Sequence, residues 1–110
     1  MITGKRLWAV PSPTTPSRVA EIASNATRVM IVDDRSTARS LLEGLAKSLE
    51  PGIVVESFAE PQQALLHMES SIPDLIITDY RMPGMDGIEF TRRVRAQKSL
   101  ADVPLIIVTV

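Results

Sequence analysis

The sequence predicts an α/β fold, a doubly wound parallel sheet with helices on both of its faces. Four short apolar runs, at residues 28–33, 53–58, 75–78 and 105–110, alternate with segments whose apolar residues recur every three or four positions. These runs are continuously apolar, which is typical of strands that are buried on both faces. Strands separated by helices pair in parallel through right-handed crossovers. The expected order is therefore β-α-β-α-β-α-β.

The bulk composition is that of one soluble globular domain. The chain has 110 residues, of which 45% are hydrophobic and 23% charged, and its net charge is −1. It lacks the basic excess typical of proteins that bind the phosphate backbone, so we expect no direct nucleic-acid binding. Because it has no cysteine, it has neither disulfides nor thiolate metal sites. No apolar run suits a signal peptide or a membrane span, and we expect a cytoplasmic protein without membrane contact.

Residues 1–27 differ from the rest and are predicted to be an N-terminal extension or linker. Pro11, Pro13 and Pro16 stand among serines and threonines, a composition that disfavours regular structure. The regular pattern begins at Arg28. Residues 28–110 are therefore predicted to form the folded domain.

The first helix is predicted over residues 36–49, after the strand at 28–33. Its apolar residues follow a spacing of three and four, which predicts a single buried stripe. The members of that stripe are Ala38, Leu41, Leu42, Leu45, Ala46 and Leu49. Pro51 and Gly52 end this helix, and the second strand follows at 53–58.

The second and third helices flank the strand at 75–78. Pro61 fits the first turn of a helix, and Pro73 marks the point by which this second helix has ended. After a loop rich in glycine and proline, the third helix begins near Gly87, with Asp86 as its N-cap. Its inward residues are predicted to be Ile88, Phe90 and Val94.

Acidic and hydroxyl side chains stand where the predicted strands end. Asp33 and Asp34 follow the first strand. Asp79 follows the third, and Thr109 lies near the end of the fourth. In doubly wound sheets, ligands bind beyond the carboxyl ends of the strands, where the strand order reverses. Carboxylates gathered there repel one another unless a cation joins them, and Mg²⁺ accepts carboxylate and phosphate oxygens. Asp79 can then attack phosphorus to give an acyl phosphate.

Each of these residues also has an ordinary interpretation. Aspartate favours turns, so the acidic pair alone fits a solvated strand exit, and Thr109 alone fits an ordinary strand residue. His67, the only histidine, is predicted to be a solvated surface residue. The basic run on the third helix, which is Arg92, Arg93 and Arg95, is predicted to be a solvated face.

Four features in order carry a resemblance to a known family. They are Asp33-Asp34 after the first strand, Asp79 after residues 75–78, the Met82-Pro83-Gly84-Met85-Asp86-Gly87 loop, and Thr109 after residues 105–108. Together they closely resemble the receiver domain of bacterial response regulators, and the resemblance covers residues 28–110. It implies a flavodoxin-like three-layer αβα fold, with five strands and five helices in the strand order 2-1-3-4-5.

The resemblance also implies roles for individual residues. Asp79 would accept a phosphoryl group from a sensor histidine kinase in a Mg²⁺-dependent reaction. Asp34 would bind the metal directly, Asp33 mainly through water, and Arg81 through its backbone carbonyl. Thr109 would donate its hydroxyl to the phosphoryl group and turn inward on activation. The chain would then be a signalling module and not an enzyme, apart from its own phosphorylation and dephosphorylation.

The sequence departs from the family pattern in two respects. The family has a lysine after a fifth strand that pairs with the phosphoryl group, and no lysine of this chain stands at such a position. The residue after the threonine is usually small in the family, whereas here it is Val110. With four predicted strands and three predicted helices, residues 28–110 are expected to lack the C-terminal third of the domain and any output domain. The open edge of the fourth strand would then favour a homodimer.

Two other functions fit parts of the pattern. One is a phosphatase-like hydrolase with an aspartate nucleophile, although those enzymes favour an Asp-x-Asp motif that residues 33–36 lack. The other is a dimerisation or interaction module that works without phosphorylation. Turnover of a phosphate ester would indicate the first, and association that ignores a phosphoryl mimic would indicate the second.

Overall fold

The computed structural model describes residues 26–109. Most of the predicted extension, residues 1–25, and Val110 lie outside the described residues. No helix within the described range is long and apolar enough to cross a membrane. Strands and helices alternate in the predicted order, with one short 3₁₀ helix before the last strand. The elements are β1 (Arg28–Val32), α1 (Ser36–Lys47), β2 (Val54–Phe58), α2 (Pro61–His67), β3 (Leu75–Asp79), α3 (Gly87–Arg95), the 3₁₀ helix (Lys98–Leu100) and β4 (Leu105–Val108).

The four strands form one parallel sheet in the order β2-β1-β3-β4. Val32, the last residue of β1, pairs with Phe58 of β2 on one side and with Thr78 of β3 on the other. On the far side of β3, Asp79 lies beside Val108. The predicted fold class is therefore confirmed. After β1 the chain forms β2 on one side of that strand and then crosses to form β3 on the other side. The ends of β1 and β3 therefore border the crevice where such sheets bind ligands.

Helices cover both faces of the sheet, as a three-layer αβα arrangement requires. Successive side chains of a strand point to opposite faces, so Val29 and Ile31 of β1 pack toward α1, together with Ala46. The other face carries the larger buried cluster, against α2 and α3. Its members are Met30, Val32, Ala64, Met68, Ile76, Met82, Met85, Phe90, Val94, Leu100 and Val103.

Local chemistry sets where the helices begin. Pro61 occupies the first turn of α2, where its missing N–H leaves no hydrogen bond unmade. Asp86 caps α3, because its carboxylate accepts a hydrogen bond from the backbone N–H of Glu89 at 2.9 Å. Gly52 has a φ of 83° in the turn that follows α1. All three positions agree with the predicted starts and stops.

The predicted inner face of α3 is correct at two of its three positions. Phe90 and Val94 are fully buried, whereas Ile88 is exposed, so its inward prediction is wrong. Residues four apart share one face of a helix, which places Phe90 and Val94 together. Ile88 is two positions from Phe90, or about 200° around the helix axis, and cannot face the sheet with it.

The predicted buried stripe of α1 is also wrong in part. Leu42 packs against the sheet beside the buried Ala46. Leu41, Leu45 and Leu49 are 64%, 57% and 66% exposed. Leu41 and Leu45 lie one position away from the line that faces the sheet, about 100° around the helix, and Leu49 lies beyond the end of the helix. No described element covers these three leucines. The helix itself ends at Lys47, two residues before the predicted end.

Candidate functional site

Three carboxylates meet at the carboxyl ends of the central strands. Asp33 and Asp34 follow β1, and Asp79 is the last residue of β3. One carboxylate oxygen from each lies within 4.8 Å of the other two. Asp33 and Asp79 are buried, with 3% and 4% of their surface exposed, and Asp34 is half-buried. The acidic residues singled out in the sequence therefore share one small site.

The pairing of the strands produces this convergence. Because Val32 and Thr78 lie side by side in β1 and β3, the residues that follow them emerge next to each other. The backbone N–H of Asp33 donates to the carbonyl of Phe58 at 3.1 Å, which extends the contact with β2 by one residue. Arg39 fixes the same residue from α1, since its Nη1 donates to the Asp33 carbonyl at 2.8 Å.

The electrostatics of the site favour a positively charged ligand. Burial raises the pKa of Asp33, and the nearby charges of Asp79 and Asp34 act in the same direction. The backbone N–H of Arg35 and its positive charge oppose this rise only in part. Oδ1 of Asp34 is buried and has no hydrogen-bond partner among residues 26–109. A buried oxygen without a partner is costly, and carboxylate oxygens with room for further ligands suit Mg²⁺.

A pocket of about 160 Å³ opens above the acidic residues. Its lining residues are Asp34, Arg35, Asp79, Tyr80, Arg81 and Thr109. Thr109 follows β4 directly and is exposed, and the pairing of Val108 with Asp79 brings it to the same edge of the sheet. Arg81 stands two residues beyond Asp79. The remaining predicted site residues therefore border the same pocket as the carboxylates.

The loop between β3 and α3 packs tightly under this pocket. Met82 and Met85 are buried in the larger apolar cluster. Gly84 has a φ of 82°, which side chains other than glycine rarely adopt. A Cβ atom on Gly87 would lie 2.7 Å from the backbone oxygen of Asp79, and the Gly87 N–H donates to the Tyr80 carbonyl at 2.8 Å. The start of α3 is thus fixed directly against the end of β3.

Arg35 is a site residue that the sequence reasoning missed. Its Nη2 lies 3.8 Å from Oδ2 of Asp79, and its Nε lies 3.9 Å from Oδ1 of Asp33. The signal available in the sequence was its position directly after the acidic pair. At the N-cap of α1, in extended backbone, the residue can turn its side chain back across the ends of the strands.

Two other predictions concern residues outside the acidic site. His67 is half-buried rather than solvated, because its Nε2 lies 3.2 Å from Oε2 of Glu56 and its ring lies 5.2 Å from that of Phe58. The solvated-histidine prediction is therefore wrong. On α3, Arg92 and Arg93 are exposed, and within residues 26–109 they form ion pairs with Glu89 alone, as a solvated face requires.

Comparisons with known proteins agree with this geometry. The family model described as "Response regulator receiver domain" matches residues 29–110. The chain is 40% identical over 101 residues to the cyclic di-GMP phosphodiesterase response regulator RpfG of Xanthomonas campestris, a match that covers 92% of this chain and 27% of that protein. It is 37% identical over 82 residues to the chemotaxis protein CheY of Pseudomonas aeruginosa, covering 74% of this chain and 65% of CheY. The chain thus spans about a quarter of RpfG and less than two thirds of CheY.

A solved structure that is similar to this chain contains a magnesium ion. The receiver domain of the sensor histidine kinase PA1611 from Pseudomonas aeruginosa PAO1 was determined with a magnesium ion coordinated in its active-site cleft. It is 32% identical to this chain with a TM-score of 0.68, over 74% of this chain and 66% of that one. The order of the strands, the acidic cluster and the match to the family model all agree. The chain belongs to the family of response regulator receiver domains, the phosphoacceptor modules of two-component signalling.

Proposed function

We propose that this receiver domain accepts a phosphoryl group on Asp79 from a sensor histidine kinase, in a reaction that depends on Mg²⁺. The observation that carries the proposal is the convergence of three carboxylates within 4.8 Å beneath an open pocket. Asp79 borders that pocket from the end of a buried strand. A carboxylate held in this way is both a nucleophile and part of a cation site.

The cation would be held by Asp33, Asp34 and Asp79, with the backbone carbonyl of Arg81 as a further ligand. In the described part of the chain, Oδ1 of Asp34 is a buried oxygen without a hydrogen-bond partner, and a bound cation would supply the missing contact. The magnesium ion in the cleft of the PA1611 receiver domain supports the choice of metal. When bound, Mg²⁺ would neutralise the negative charge of the acidic cluster and of the incoming phosphoryl group.

The transfer itself would use one oxygen of Asp79. That oxygen attacks phosphorus while the bond from phosphorus to the donor nitrogen of a phosphohistidine breaks, and the electron pair stays with the departing imidazole. Thr109 would then donate its hydroxyl to an oxygen of the transferred group. The activity of the chain would be limited to its own phosphorylation and dephosphorylation. An output domain or partner outside this chain would respond to the phosphorylated state. We also propose that the chain forms a homodimer through β4.

Loading with a small phosphoryl donor tests the function. We expect incubation with acetyl phosphate and Mg²⁺ to add a group of about 80 Da that survives acid and is lost in alkali, as acyl phosphates are. Asp79→Asn should abolish the adduct, and chelation of the metal should prevent it. Asp102→Asn is the matched control, because this exposed residue lies at the opposite end of the sheet, before β4.

Two results would argue against the proposal. An adduct that persists in Asp79→Asn would place the phosphoryl group elsewhere. Continuous turnover of p-nitrophenyl phosphate by the wild-type chain would instead indicate the hydrolase alternative, since a receiver domain consumes its donor only as fast as its own phosphoryl group is lost.

A further inference from the structure

Arg35 stands beside the phosphoacceptor without being bound tightly to it. Its guanidinium group lies 3.8 Å from Oδ2 of Asp79 and 3.9 Å from Oδ1 of Asp33. Charge-assisted hydrogen bonds are shorter, about 2.7–2.9 Å. Within residues 26–109, no other cationic side chain approaches the carboxylates of the acidic cluster within 4.0 Å. Within the described part of the chain, Arg35 is thus the positive group nearest to the carboxylate of Asp79.

The backbone of this residue is anchored by a hydrogen bond, whereas its side chain is largely exposed. The Arg35 N–H donates to Oδ1 of Asp33 at 3.0 Å, which anchors the Cα atom at the edge of the site. The side chain itself is 59% exposed and borders the open pocket above Asp79. A small rotation of its outer bonds would bring the guanidinium group over the pocket, with no change in the fold.

A phosphoryl group on Asp79 would change what Arg35 faces. Phosphorylation converts the carboxylate into an acyl phosphate, in which the attacking oxygen stays as the bridge to phosphorus. The attached group carries about −1.5 to −2 charges and three further acceptor oxygens. The planar guanidinium offers parallel N–H donors that match two such oxygens at once, a fit that the rounder ammonium of lysine lacks. The same positive charge would also attract an anionic donor into the pocket before transfer.

We propose, resting on the proposed function of Asp79, that Arg35 binds the phosphoryl group as it is transferred and after it is attached to Asp79. The alternative is that Arg35 is only a counter-ion of the acidic cluster. These two roles predict opposite effects on loading. A phosphoryl-binding arginine speeds transfer, whereas a counter-ion that competes with Mg²⁺ slows it.

The test compares three variants of the full chain, with phosphoryl loading and mimic binding measured at saturating Mg²⁺. Arg35→Gln removes the charge, and Arg35→Lys keeps the charge but loses the planar donors. Arg92→Gln removes an exposed arginine from α3, where it forms an ion pair with Glu89. Because the Arg35 backbone contact remains in both of its variants, and its side chain is largely exposed, all proteins should keep the wild-type melting temperature. Loading by acetyl phosphate, binding of beryllofluoride with Mg²⁺, and binding of Mg²⁺ alone are then measured, the last by calorimetry.

We expect Arg35→Gln to load about 10-fold more slowly or worse and to bind beryllofluoride correspondingly less well, as loss of a hydrogen bond to a charged group implies. Arg35→Lys should load at a rate between those of wild type and Arg35→Gln, and Arg92→Gln should match wild type. The affinity for Mg²⁺ alone should stay unchanged or rise in Arg35→Gln, because a positive neighbour is removed. A merely structural role of Arg35 would not lower the affinity for beryllofluoride while leaving the affinity for Mg²⁺ unchanged or raised.

Failure of this inference can be told apart from failure of the proposed function. If the wild-type chain loads on Asp79 and Arg35→Gln loads equally fast or faster, Arg35 is a counter-ion and the inference is wrong. If the wild-type chain does not load at all, the proposed function is contradicted, and the inference that rests on it falls as well.

Discussion

At Asp33, burial and charge act on the same carboxyl group. Burial raises the pKa of this group above its ordinary value of 3.8, and the negative charges of Asp79 and Asp34 add to the rise. In the folded chain, ionisation of Asp33 therefore has a cost that the unfolded chain does not have. Protonated Asp33 contributes fully to stability at pH values below its ordinary pKa, which is that of the unfolded chain. This contribution is lost as the pH rises through the raised pKa of the folded chain. At neutral pH without metal, Asp33 should destabilise the fold.

Asp33→Asn should consequently raise the melting temperature at pH 7 in a metal-free buffer, by about 2–6 °C for a domain of this size. Asparagine keeps an Oδ1 that can accept the hydrogen bond from the Arg35 N–H, and it removes the charge. The gain should shrink as the pH is lowered toward 3.8. Calorimetry of both proteins between pH 4 and 8 measures it, with the exposed Asp102→Asn as a control.

Addition of Mg²⁺ should reverse the order of the two melting temperatures. The wild-type chain should then gain more stability than Asp33→Asn, because a ligand that binds only the folded state stabilises it in proportion to its affinity. A lower melting temperature of Asp33→Asn at pH 7 in metal-free buffer would show that the negative charge of Asp33 is already compensated by Arg35.

At the residue scale, the sequence predicted which carboxylates meet but not what lies over them. Asp33, Asp34 and Asp79 could be predicted because strand ends in a parallel sheet share an edge, whatever their side chains do. Arg35 could not, because its contact depends on the direction of a long and largely exposed side chain. The prediction for His67 failed for a related reason. Its pairing with Glu56 joins α2 to β2, and no local sequence pattern reveals that contact.

At the scale of elements, the junction of β3 with α3 is the most tightly packed part of the site. Gly87 is buried, and a Cβ atom there would lie 2.7 Å from the Asp79 oxygen and 3.1 Å from Cα of Tyr80. Both neighbours are backbone atoms, which cannot move aside as the end of a flexible side chain can. The smallest added group would therefore displace the start of α3 from the phosphoacceptor strand.

Gly87→Ala should lower the free energy of unfolding by about 1–3 kcal/mol, the usual cost of overpacking. Gly44→Ala is its matched control, since Gly44 is exposed within α1 and a Cβ atom there meets nothing within 4 Å. That substitution should stabilise the chain by about 0.5–1 kcal/mol, because alanine is the better helix former. Urea unfolding of both variants measures the two changes. Equal effects at the two positions would mean that the β3–α3 junction is not constrained by packing.

The helices show where sequence patterns stop being informative. Periodicity identified α1 and α3 correctly as elements, because a spacing of three and four is a local property of the chain. It did not identify which apolar residues are buried. Leu41 and Leu45 fit the same spacing as Leu42 and Ala46, yet only the second pair packs against the sheet. That distinction depends on which neighbour lies across each helix face.

At the scale of the whole molecule, apolar surface is distributed unequally between the two faces of the sheet. Among the residues that the structure describes, the face under α2 and α3 holds the larger buried cluster, whereas the cluster under α1 has three buried members. Ile106 pairs in register with Ile77, so it belongs to the α1 face, and it is 50% exposed. Within residues 26–109, β4 also has a strand on one side only. Unpaired strand edges beside exposed apolar side chains favour association with another chain.

We therefore expect the chain to form a concentration-dependent dimer through β4. Ile106→Lys should weaken that dimer about 10-fold or more, because charged residues on edge strands, lysine above all, oppose strand pairing. Leu66→Lys is the matched control, since Leu66 is 64% exposed on α2 and belongs to neither buried cluster. Sedimentation velocity over a range of concentrations measures the dissociation constant of each protein, and beryllofluoride with Mg²⁺ is added in a parallel series. A wild-type chain that stays monomeric throughout would contradict the expectation. A dimer that forms equally well with and without the mimic would favour the interaction module that works without phosphorylation. Thr109 directly follows β4, so a change at the acidic site should otherwise reach the edge of that strand.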